Sequence, residues 1–299
     1  MIDTSFLESL IENPNLLSEL DLNTIFKILN SAQNAFENEN ILLEFELNNP
    51  REEIYVVGDI HGDLESLLKL YDIFKAKKPC GVIFLGDVVD RGLKQVECLI
   101  FVLSLKILNP KQYYLLKGNH ETWEMNQVYG FLEVFSRKFK GTYGFKEILG
   151  LYNVLPICAI VNKTVLCLHG GIPQDKDILK KIRNIKTTNF HTLNNSTSQA
   201  LSQILWNDPK INLKEFTESF RGPGINFFGE DVFNEFLEEN NLKYMIRSHE
   251  RFPEGYRWFF KNRLLSIFSS INYLGKHNPI PASYAIITRD KISPKILEL

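Results

Sequence analysis

The chain has 299 residues, of which 44% are hydrophobic and 23% charged, so it can bury a substantial core. Its formal net charge of −2 argues against extended, non-specific binding to nucleic acid. No apolar run approaches the roughly 20 residues that span a bilayer, and no basic and apolar leader opens the chain. We therefore expect a soluble cytoplasmic protein without a membrane partner. The four cysteines lack CxxC spacing, which favours buried thiols over disulfides or a zinc site.

Residues 1–40 carry a helical pattern. Apolar side chains recur at helical spacing between residues 22 and 36, and residues 7–17 indicate a shorter helix before them. Asn48, Asn49 and Pro50 then break the chain before the first sheet strand. We expect residues 1–40 to be a helical segment packed on one compact domain, residues 41–299.

Strand and helix patterns alternate after this break. Strands are predicted at residues 54–58, 82–86 and 113–117, with helices at residues 63–76 and 92–108 between them. This β-α-β-α-β order predicts right-handed crossovers and a largely parallel sheet.

The remainder of the chain is mixed. A helical, aromatic-rich stretch covers residues 125–139, and apolar runs at residues 154–161 and 164–168 predict a hairpin across Asn162 and Lys163. The polar stretch 181–203 predicts a surface loop. Later strand patterns predict a second, mixed or antiparallel sheet from residues 243–246, 256–260, 264–268 and 284–288. The expected fold is thus an α/β sandwich of two mixed β-sheets flanked by helices.

Polar clusters follow the predicted strands. They are residues 58–63 (Gly-Asp-Ile-His-Gly-Asp), 86–92 (Gly-Asp-Val-Val-Asp-Arg-Gly), 118–121 (Gly-Asn-His-Glu), 169–171 (His-Gly-Gly) and 247–249 (Arg-Ser-His). Open α/β sheets place their ligands at the carboxyl ends of strands, so we expect the clusters to meet. One aspartate could simply cap a helix and one histidine could be purely structural, but four of the six histidines recur here. The set predicts a metal site.

Mixed Asp, Asn and His ligation suits manganese, iron or zinc better than calcium or magnesium. The number of ligands exceeds the need of one ion, so we expect two ions that share one carboxylate. In such a pair, about 3.5–4 Å apart, a bridging water is acidified to hydroxide and both ions stabilise an in-line displacement at phosphorus.

With these motifs the sequence resembles the PPP family of metal-dependent serine/threonine protein phosphatases, in particular the catalytic subunits of protein phosphatases 1 and 2A. The resemblance runs from about residue 41 to residue 288 through the clusters above. It continues through residues 205–209 (Leu-Trp-Asn-Asp-Pro), 221–222 (Arg-Gly) and 268–275 (Phe-Ser-Ser-Ile-Asn-Tyr-Leu-Gly). It implies the calcineurin-like metallophosphoesterase fold, with residues 41–299 as the catalytic domain.

The resemblance also implies a set of metal ligands. One ion is held by Asp59, His61 and Asp87, and the other by Asp87, Asn119, His169 and His249. Asp87 is then the bridging ligand. The implied cofactors are two ions of manganese, iron or zinc, with manganese expected to support activity in vitro.

The same resemblance identifies His120 as the general acid, oriented by Asp90. It identifies Arg91 and Arg221 as the groups that bind the phosphate oxygens. Tyr273 resembles the loop tyrosine that overhangs the family's site. Each arginine could instead form only a structural salt bridge, and the tyrosine could serve packing alone.

Departures from the family pattern spare the proposed chemical groups. Val88 stands where the family usually has tyrosine, Thr122 stands where it often has cysteine, and the loop at residues 268–275 lacks the usual proline and cysteine. Asp208 resembles a structural or rim residue and not a ligand. Because every proposed ligand and catalytic group is present, we expect an active enzyme.

The implied function is hydrolysis of phosphoserine and phosphothreonine in proteins by direct attack of a hydroxide that bridges two metal ions. The implied partners are phosphoprotein substrates, and regulatory subunits are compatible with the resemblance. Two alternatives stay open: a related metallophosphoesterase that acts on nucleotides, such as a dinucleoside tetraphosphatase, and a scaffold that binds phosphoproteins without turnover. The Arg221 motif and the loop at residues 268–275 favour the protein phosphatase.

Overall fold

The computed structural model describes residues 2–298 and contains two large β-sheets packed face to face. Apolar side chains meet between the sheets, among them Val56 and Ile83 from one sheet and Ile246 and Leu265 from the other. Alternate side chains such as Tyr55 face the helices outside the sandwich. Strands buried on both faces need apolar residues at successive positions, and these strands have them. The predicted sandwich of two mixed sheets flanked by helices is confirmed.

The strands are short and are spread over most of the chain. They are β1 (Leu42–Phe45), β2 (Ile54–Val57), β3 (Gly81–Phe84), β4 (Tyr113–Leu115), β5 (Cys158–Val161), β6 (Val165–Leu168), β7 (Asp208–Pro209), β8 (Phe216–Glu218), β9 (Asn226–Phe228), β10 (Tyr244–Arg247), β11 (Tyr256–Phe259), β12 (Leu264–Ile267), β13 (Ala282–Ile287) and β14 (Ile292–Leu297). The first sheet has the order β14-β13-β2-β3-β4, and the second has the order β1-β5-β6-β10-β12-β11. A small third sheet, β7-β9-β8, was not predicted.

Several pairings agree with the sequence predictions. Strands β2, β3 and β4 are parallel, as the β-α-β-α-β pattern predicts. Strands β5 and β6 form the predicted antiparallel hairpin. The assignment of all C-terminal strands to the second sheet was wrong for β13, which pairs antiparallel with β2 and places Ala285 opposite Val56. Strand patterns report local conformation, whereas the choice of partner depends on the path of the whole chain.

The helices cover the outer faces of the sheets. They are α1 (Thr4–Glu12), α2 (Leu22–Phe36), α3 (Leu64–Lys77), α4 (Gln95–Leu108), α5 (Trp123–Tyr129), α6 (Phe131–Phe139), α7 (Phe145–Tyr152), α8 (Ile178–Ile182), α9 (Asn195–Trp206) and α10 (Glu230–Glu239), with a 3₁₀ turn at Pro14–Glu19. Helices α1 and α2 both pack on α4, which is buried along most of its length. No helix within residues 2–298 is both long enough and apolar enough to cross a bilayer.

Two predictions from composition were wrong. Residues 195–203 are not a loop but lie in α9, where the Asn194 side chain accepts the Thr197 N–H at 2.9 Å and caps the helix. Polar residues of this kind favour helix N-termini as well as loops, and Leu201 and Ile204 on the same helix are buried. The thiol of Cys80 is exposed, in contrast to the other three cysteines.

Candidate active site

The polar clusters converge at the carboxyl ends of the strands of both large sheets, around a cleft of about 300 Å³. The cleft is lined by nine of the predicted site residues: Asp59, His61, Asp87, Arg91, Asn119, His120, Arg221, His249 and Tyr273. The other two, Asp90 and His169, are fully buried beneath it. They contact His120 and Asn119, respectively. The fold therefore brings all eleven predicted side chains together.

The backbone at these clusters is strained. Left-handed φ angles occur at His61 (48°), Asp87 (52°), Asp90 (65°), Arg91 (72°) and His249 (70°). Residues with a Cβ rarely adopt this conformation, which costs on the order of 1–3 kcal/mol per residue unless the surroundings impose it. The strained residues are concentrated at one cleft. The fold therefore accepts an unfavourable backbone conformation there in order to orient these side chains.

The turn after β4 also needs a glycine. A Cβ at Gly118 would lie 2.2 Å from Oδ1 of Asp87 and 2.8 Å from Oε2 of Glu121. Because neither distance is sterically allowed, Gly118 lets two carboxylates approach the backbone directly.

Asp87 lies at the centre of the first group of candidate ligands. Its Oδ2 atom is 3.5 Å from Nε2 of His61 and 3.4 Å from Nε2 of His169. The Oδ2 atom of Asp59 is 3.6 Å from Nε2 of His61. One carboxylate oxygen therefore lies close to two imidazole nitrogens, which suits a bridging ligand.

The second group of candidate ligands contains Asp87, His169 and His249, with Asn119 beside His169. The Nε2 atom of His169 is 2.8 Å from Oδ1 of Asn119 and 3.1 Å from Nδ1 of His249. Within residues 2–298, buried Nε2 of His249 has no hydrogen-bond partner. Burial lowers the pKa of His249 well below its usual range, and the positive charge of Arg221 lowers it further. This shift favours the neutral imidazole, which has a lone pair on one of its ring nitrogens.

His120 is held by a buried carboxylate. Its Nδ1 atom is 2.7 Å from Oδ2 of Asp90. Asp90 also accepts the Phe131 N–H at 2.9 Å and the Asn126 side-chain N–H at 3.0 Å. The Nε2 atom of His120 then faces the cleft, 3.9 Å from Oδ2 of Asp87.

The two predicted arginines differ in how they are held. The Arg91 guanidinium lies over the Tyr129 ring, 3.9 Å from its centroid. The Nε atom of Arg221 is 2.5 Å from Oδ2 of Asp208. The other oxygen of Asp208 is 2.7 Å from Nη2 of the buried Arg247. Arg221 does form a salt bridge, but it uses only Nε for that purpose among the described residues.

A family model described as "Calcineurin-like phosphoesterase" matches residues 53–251. The matched span contains every candidate metal ligand, from Asp59 to His249, together with Asp90, His120 and both arginines. The chain belongs to the calcineurin-like phosphoesterase family. Proteins of this family are phosphoesterases with a binuclear metal centre.

Solved structures extend the similarity beyond the matched span. A serine/threonine phosphatase from Saccharomyces cerevisiae, described as similar to human phosphatase PP5, is 27% identical with a TM-score of 0.85. The alignment covers 100% of this chain and 96% of that chain. This similarity is consistent with the predicted resemblance to the PPP family.

More distant structures share the fold. A cold-active protein tyrosine phosphatase is 17% identical, with a TM-score of 0.59 and coverage of 88% of this chain and 80% of its own. The corresponding enzyme of a psychrophilic Shewanella species is 16% identical, with a TM-score of 0.59 and coverage of 89% and 84%. At these identities the likeness concerns the phosphoesterase fold alone.

The donor atoms of the phosphoesterase cleft fit a pair of cations. Backbone carbonyls of Val89 and Leu85 lie 2.9 Å and 3.0 Å from Nδ1 of His61 and His169, respectively. A carbonyl can only accept, so each Nδ1 carries a hydrogen, and in the neutral imidazole each Nε2 then presents a lone pair to the carboxylate of Asp87. Acceptors that face acceptors repel unless a positive charge lies between them.

The charges in the cleft agree with this reading. Burial lowers the pKa of His61, but the nearby carboxylates of Asp59 and Asp87 outweigh burial and raise the pKa to about 9. Without a metal ion, the carboxylates thus favour a proton at this place. Two groups of potential ligands within 4.8 Å of one another share Asp87: His61, Asp87 and His120, and Asp87, His169 and His249. The shared carboxylate suits two ions, although the first group contains His120 where Asp59 was predicted.

Glu121 is a supporting residue to which no role was assigned from the sequence. Its carboxylate accepts the N–H groups of Asp87, Val88 and Gly118 at 2.8, 2.9 and 2.8 Å. Burial, reinforced by the charge of Asp87, raises its pKa to about 7. Glu121 ties the turn after β3 to the turn after β4. Its position in the motif at residues 118–121 was the only available signal.

Ser248 links the two sheets at the site. Its hydroxyl donates to Oδ1 of Asp59, and the His249 N–H donates to the same oxygen at 3.0 Å. Because Asp59 follows β2 and Ser248 follows β10, this contact fixes the two halves of the candidate metal centre relative to each other.

Tyr273 lies on a loop that is held by hydrogen bonds to Asp63. The Asp63 carboxylate accepts the Asn272 N–H at 2.8 Å and the Ser270 hydroxyl at 3.1 Å. The Tyr273 ring lies 5.3 Å from the His61 ring and 5.1 Å from the Phe268 ring. The side chain thus lines the cleft and also packs, and these hydrogen bonds order a loop that lacks the family's usual proline.

Proposed function

We propose that this phosphoesterase hydrolyses phosphoserine and phosphothreonine in proteins. The observation that carries the proposal is the similarity to the yeast serine/threonine phosphatase, which extends over the whole chain and both sheets. It includes the loop of Tyr273, which lies outside residues 53–251. In this proposal residues 41–299 form the catalytic domain, residues 1–40 pack on it, and phosphoproteins are the partners.

We assign Asp59, His61 and Asp87 to one metal ion. We assign Asp87, Asn119, His169 and His249 to the other ion. When bound, two such ions would supply Lewis-acid chemistry that converts a bridging water to hydroxide and offsets negative charge on the phosphoryl oxygens. The proximity of Asp87 to both His61 and His169 supports its bridging role.

The arginines bind the phosphate oxygens in this proposal. Arg91 is oriented by the Tyr129 ring, and Arg221 is oriented through its Nε by Asp208. A guanidinium held at one edge presents its remaining N–H groups in a fixed direction, which suits the tetrahedral phosphoryl oxygens. Both side chains line the same cleft as the candidate ligands.

His120 donates the proton that the leaving group needs. Serine and threonine alkoxides are poor leaving groups, so protonation as the P–O bond breaks accelerates their departure. The hydrogen bond from Nδ1 to Asp90 fixes the ring and directs Nε2 to the cleft. After the reaction, the proton resides on the serine or threonine oxygen and His120 is neutral.

A panel of substrates tests the proposal. Release of inorganic phosphate is measured from matched phosphoserine, phosphothreonine and phosphotyrosine peptides and from a dinucleoside tetraphosphate, with metal content determined in the same preparation. We expect metal-dependent turnover with the highest kcat/KM on phosphoserine or phosphothreonine. Preference for the nucleotide or for phosphotyrosine would refute the assignment. Tight binding of phosphopeptides without phosphate release would identify a scaffold.

A further inference from the structure

A third arginine, Arg251, borders the cleft. It follows the cluster at residues 247–249, on the connection between β10 and β11, and it lines the cleft together with His249 and Tyr273. Its side chain is exposed. Burial raises the pKa of Tyr273, whereas the nearby positive charges of Arg91 and Arg251 act in the opposite direction. The guanidinium of Arg251 therefore lies in the electrostatic environment of the site.

Two nearby arginines, Arg221 and Arg247, have carboxylate partners, whereas Arg251 has none among residues 2–298. Arg221 and Arg247 share Asp208, and Arg247 also binds Glu250 at 3.0 Å. Across residues 2–298, no carboxylate oxygen lies within 4.0 Å of the Arg251 guanidinium. No side-chain hydrogen bond of Arg251 is found in this part of the chain either. A solvated, uncompensated cation is thus available at the mouth of the cleft.

One phosphate does not account for all of these cations. Arg91 and Arg221 already serve the phosphoryl oxygens in the proposed function, and both line the cleft together with the candidate metal ligands. A peptide bound with its phosphate in the cleft must extend across the rim, where Arg251 lies. An exposed guanidinium there would meet the side chains that flank the phosphorylated residue.

We propose that Arg251 is a specificity-determining residue that binds a second anionic group of the substrate, beside the phosphorylated residue. The role rests on the proposed protein phosphatase function. The shared chemistry is that of oxygen anions which accept two N–H groups of a guanidinium, namely a carboxylate or a second phosphate. Peptides with an acidic neighbour and peptides with a second phosphoserine distinguish these two sources.

The test compares kcat/KM for a set of phosphoserine peptides. The flanking positions are neutral, or carry one aspartate, one lysine or one further phosphoserine, scanned through three places on either side. Each peptide is expressed relative to the neutral peptide for the same enzyme, so that any general effect of a substitution cancels. For the unaltered enzyme we expect a preference of about 2- to 5-fold for an anion in at least one place, the range of an exposed ion pair.

Two substitutions and one control complete the design. Arg251→Gln should reduce the ratio to about one, and Arg251→Glu should invert it so that the lysine peptide is preferred. Arg289→Glu makes the same charge change at an exposed residue that borders a different cavity, and it should keep the original ratio. Circular dichroism and thermal unfolding establish that each variant is folded.

The outcomes separate the two proposals. If the peptides are hydrolysed but Arg251→Glu keeps the anion preference, or if Arg289→Glu loses it equally, Arg251 has no such role. If the unaltered enzyme hydrolyses p-nitrophenyl phosphate but none of the peptides, the protein phosphatase function fails, and the role of Arg251 fails with it.

Discussion

The Nδ1 atom of His120 lies 2.7 Å from Oδ2 of Asp90, and both side chains are buried beside the cleft. Asp90 is itself fixed by the Phe131 N–H and the Asn126 side chain. The pair joins residues from two different strand ends, after β3 and after β4. The imidazole is therefore positioned by the fold before any substrate arrives.

This pair predicts a dependence on the leaving group. His120→Asn and Asp90→Asn should each reduce kcat on a phosphoserine peptide more than kcat on p-nitrophenyl phosphate, because nitrophenolate departs without a proton. General-acid catalysis contributes about 10²–10⁴-fold, which sets the scale of the loss on the peptide. Steady-state kinetics on both substrates provide the measurement.

The double variant provides a control for this prediction. Residues that act as a unit are not additive, so His120→Asn combined with Asp90→Asn should be little worse than His120→Asn alone. Equal losses on the two substrates, at unchanged metal content, would mean that His120 positions phosphate and donates no proton.

Asp87→Asn should be the most damaging change to the metal site. It removes charge from the carboxylate that faces both His61 and His169. We expect fewer than two bound ions per chain by inductively coupled plasma mass spectrometry, and activity that excess metal does not restore. Asp72→Asn, at an exposed position of α3, is the matched control and should retain both ions. Two bound ions and near-normal turnover in Asp87→Asn would contradict the bridging assignment.

Glu121→Ala should lower both stability and metal content. It leaves three buried backbone N–H groups without their partner, and each such group costs about 1–3 kcal/mol. The summed loss of about 3–9 kcal/mol should lower the midpoint of thermal unfolding by at least about 6 °C, at about 2–4 °C per kcal/mol for a large domain. Glu124→Ala is the control: it removes an exposed carboxylate nearby, and its Tm should change little. An unchanged Tm in Glu121→Ala would show that the contacts of Glu121 are dispensable.

Arg221→Lys tests whether this arginine binds phosphate in addition to its salt bridge with Asp208. Lysine keeps the positive charge near Asp208 but loses the fork of N–H groups. Loss of charge-assisted hydrogen bonds of about 1.5–3 kcal/mol should weaken competitive inhibition by inorganic phosphate about 10- to 100-fold. Arg183→Lys, at a surface ion pair with Glu44, is the control. A lower Tm with unaltered phosphate inhibition would mean that Arg221 is purely structural.

Alkaline pH should destabilise the protein partly through Tyr113. Burial raises the pKa of Tyr113 to about 12, above the ordinary value of 10. The folded state therefore retains the phenolic proton more strongly than the unfolded state, so stability is intact below pH 10 and is lost as the pH rises to about 12. Over this window, the free energy of unfolding measured by denaturant titration should fall by on the order of 1–2 kcal/mol less in Tyr113→Phe than in the unaltered protein. Parallel pH profiles for the two proteins would refute the shift.

Short-range pattern was sufficient for the three parallel strands of the first sheet, β2, β3 and β4, and for the polar clusters that follow them. The runs that became β2, β3 and β4 are apolar, are separated by helical patterns and end in polar clusters. Because parallel strands place their carboxyl ends on one edge, the meeting of Asp59, Asp87 and Asn119 follows from strand order. In this part of the chain, the local sequence of each motif is sufficient to place its polar residue at the end of a strand.

Local sequence pattern was insufficient to predict the structure wherever the same residues are compatible with two conformations or two pairings. Asn194 and the serines and threonines after it suit a loop or a helix N-terminus equally well, and burial of Leu201 and Ile204 decided for the helix. Strand β13 reads as an ordinary strand, and only the path of the chain places it against β2.

The sequence by itself determined which groups can act: carboxylates, imidazoles, an amide and guanidinium groups, each attached to a turn at the end of a strand. Tertiary structure decided what holds them. The contact between Ser248 and Asp59 spans 189 positions along the chain, and the one between Arg247 and Asp208 spans 39. Hydrogen bonds depend on distances of a few tenths of an ångström, and no local pattern encodes the separation of residues so far apart. For that reason the support of the site by Glu121, and the uncompensated charge of Arg251, became visible only in the folded chain.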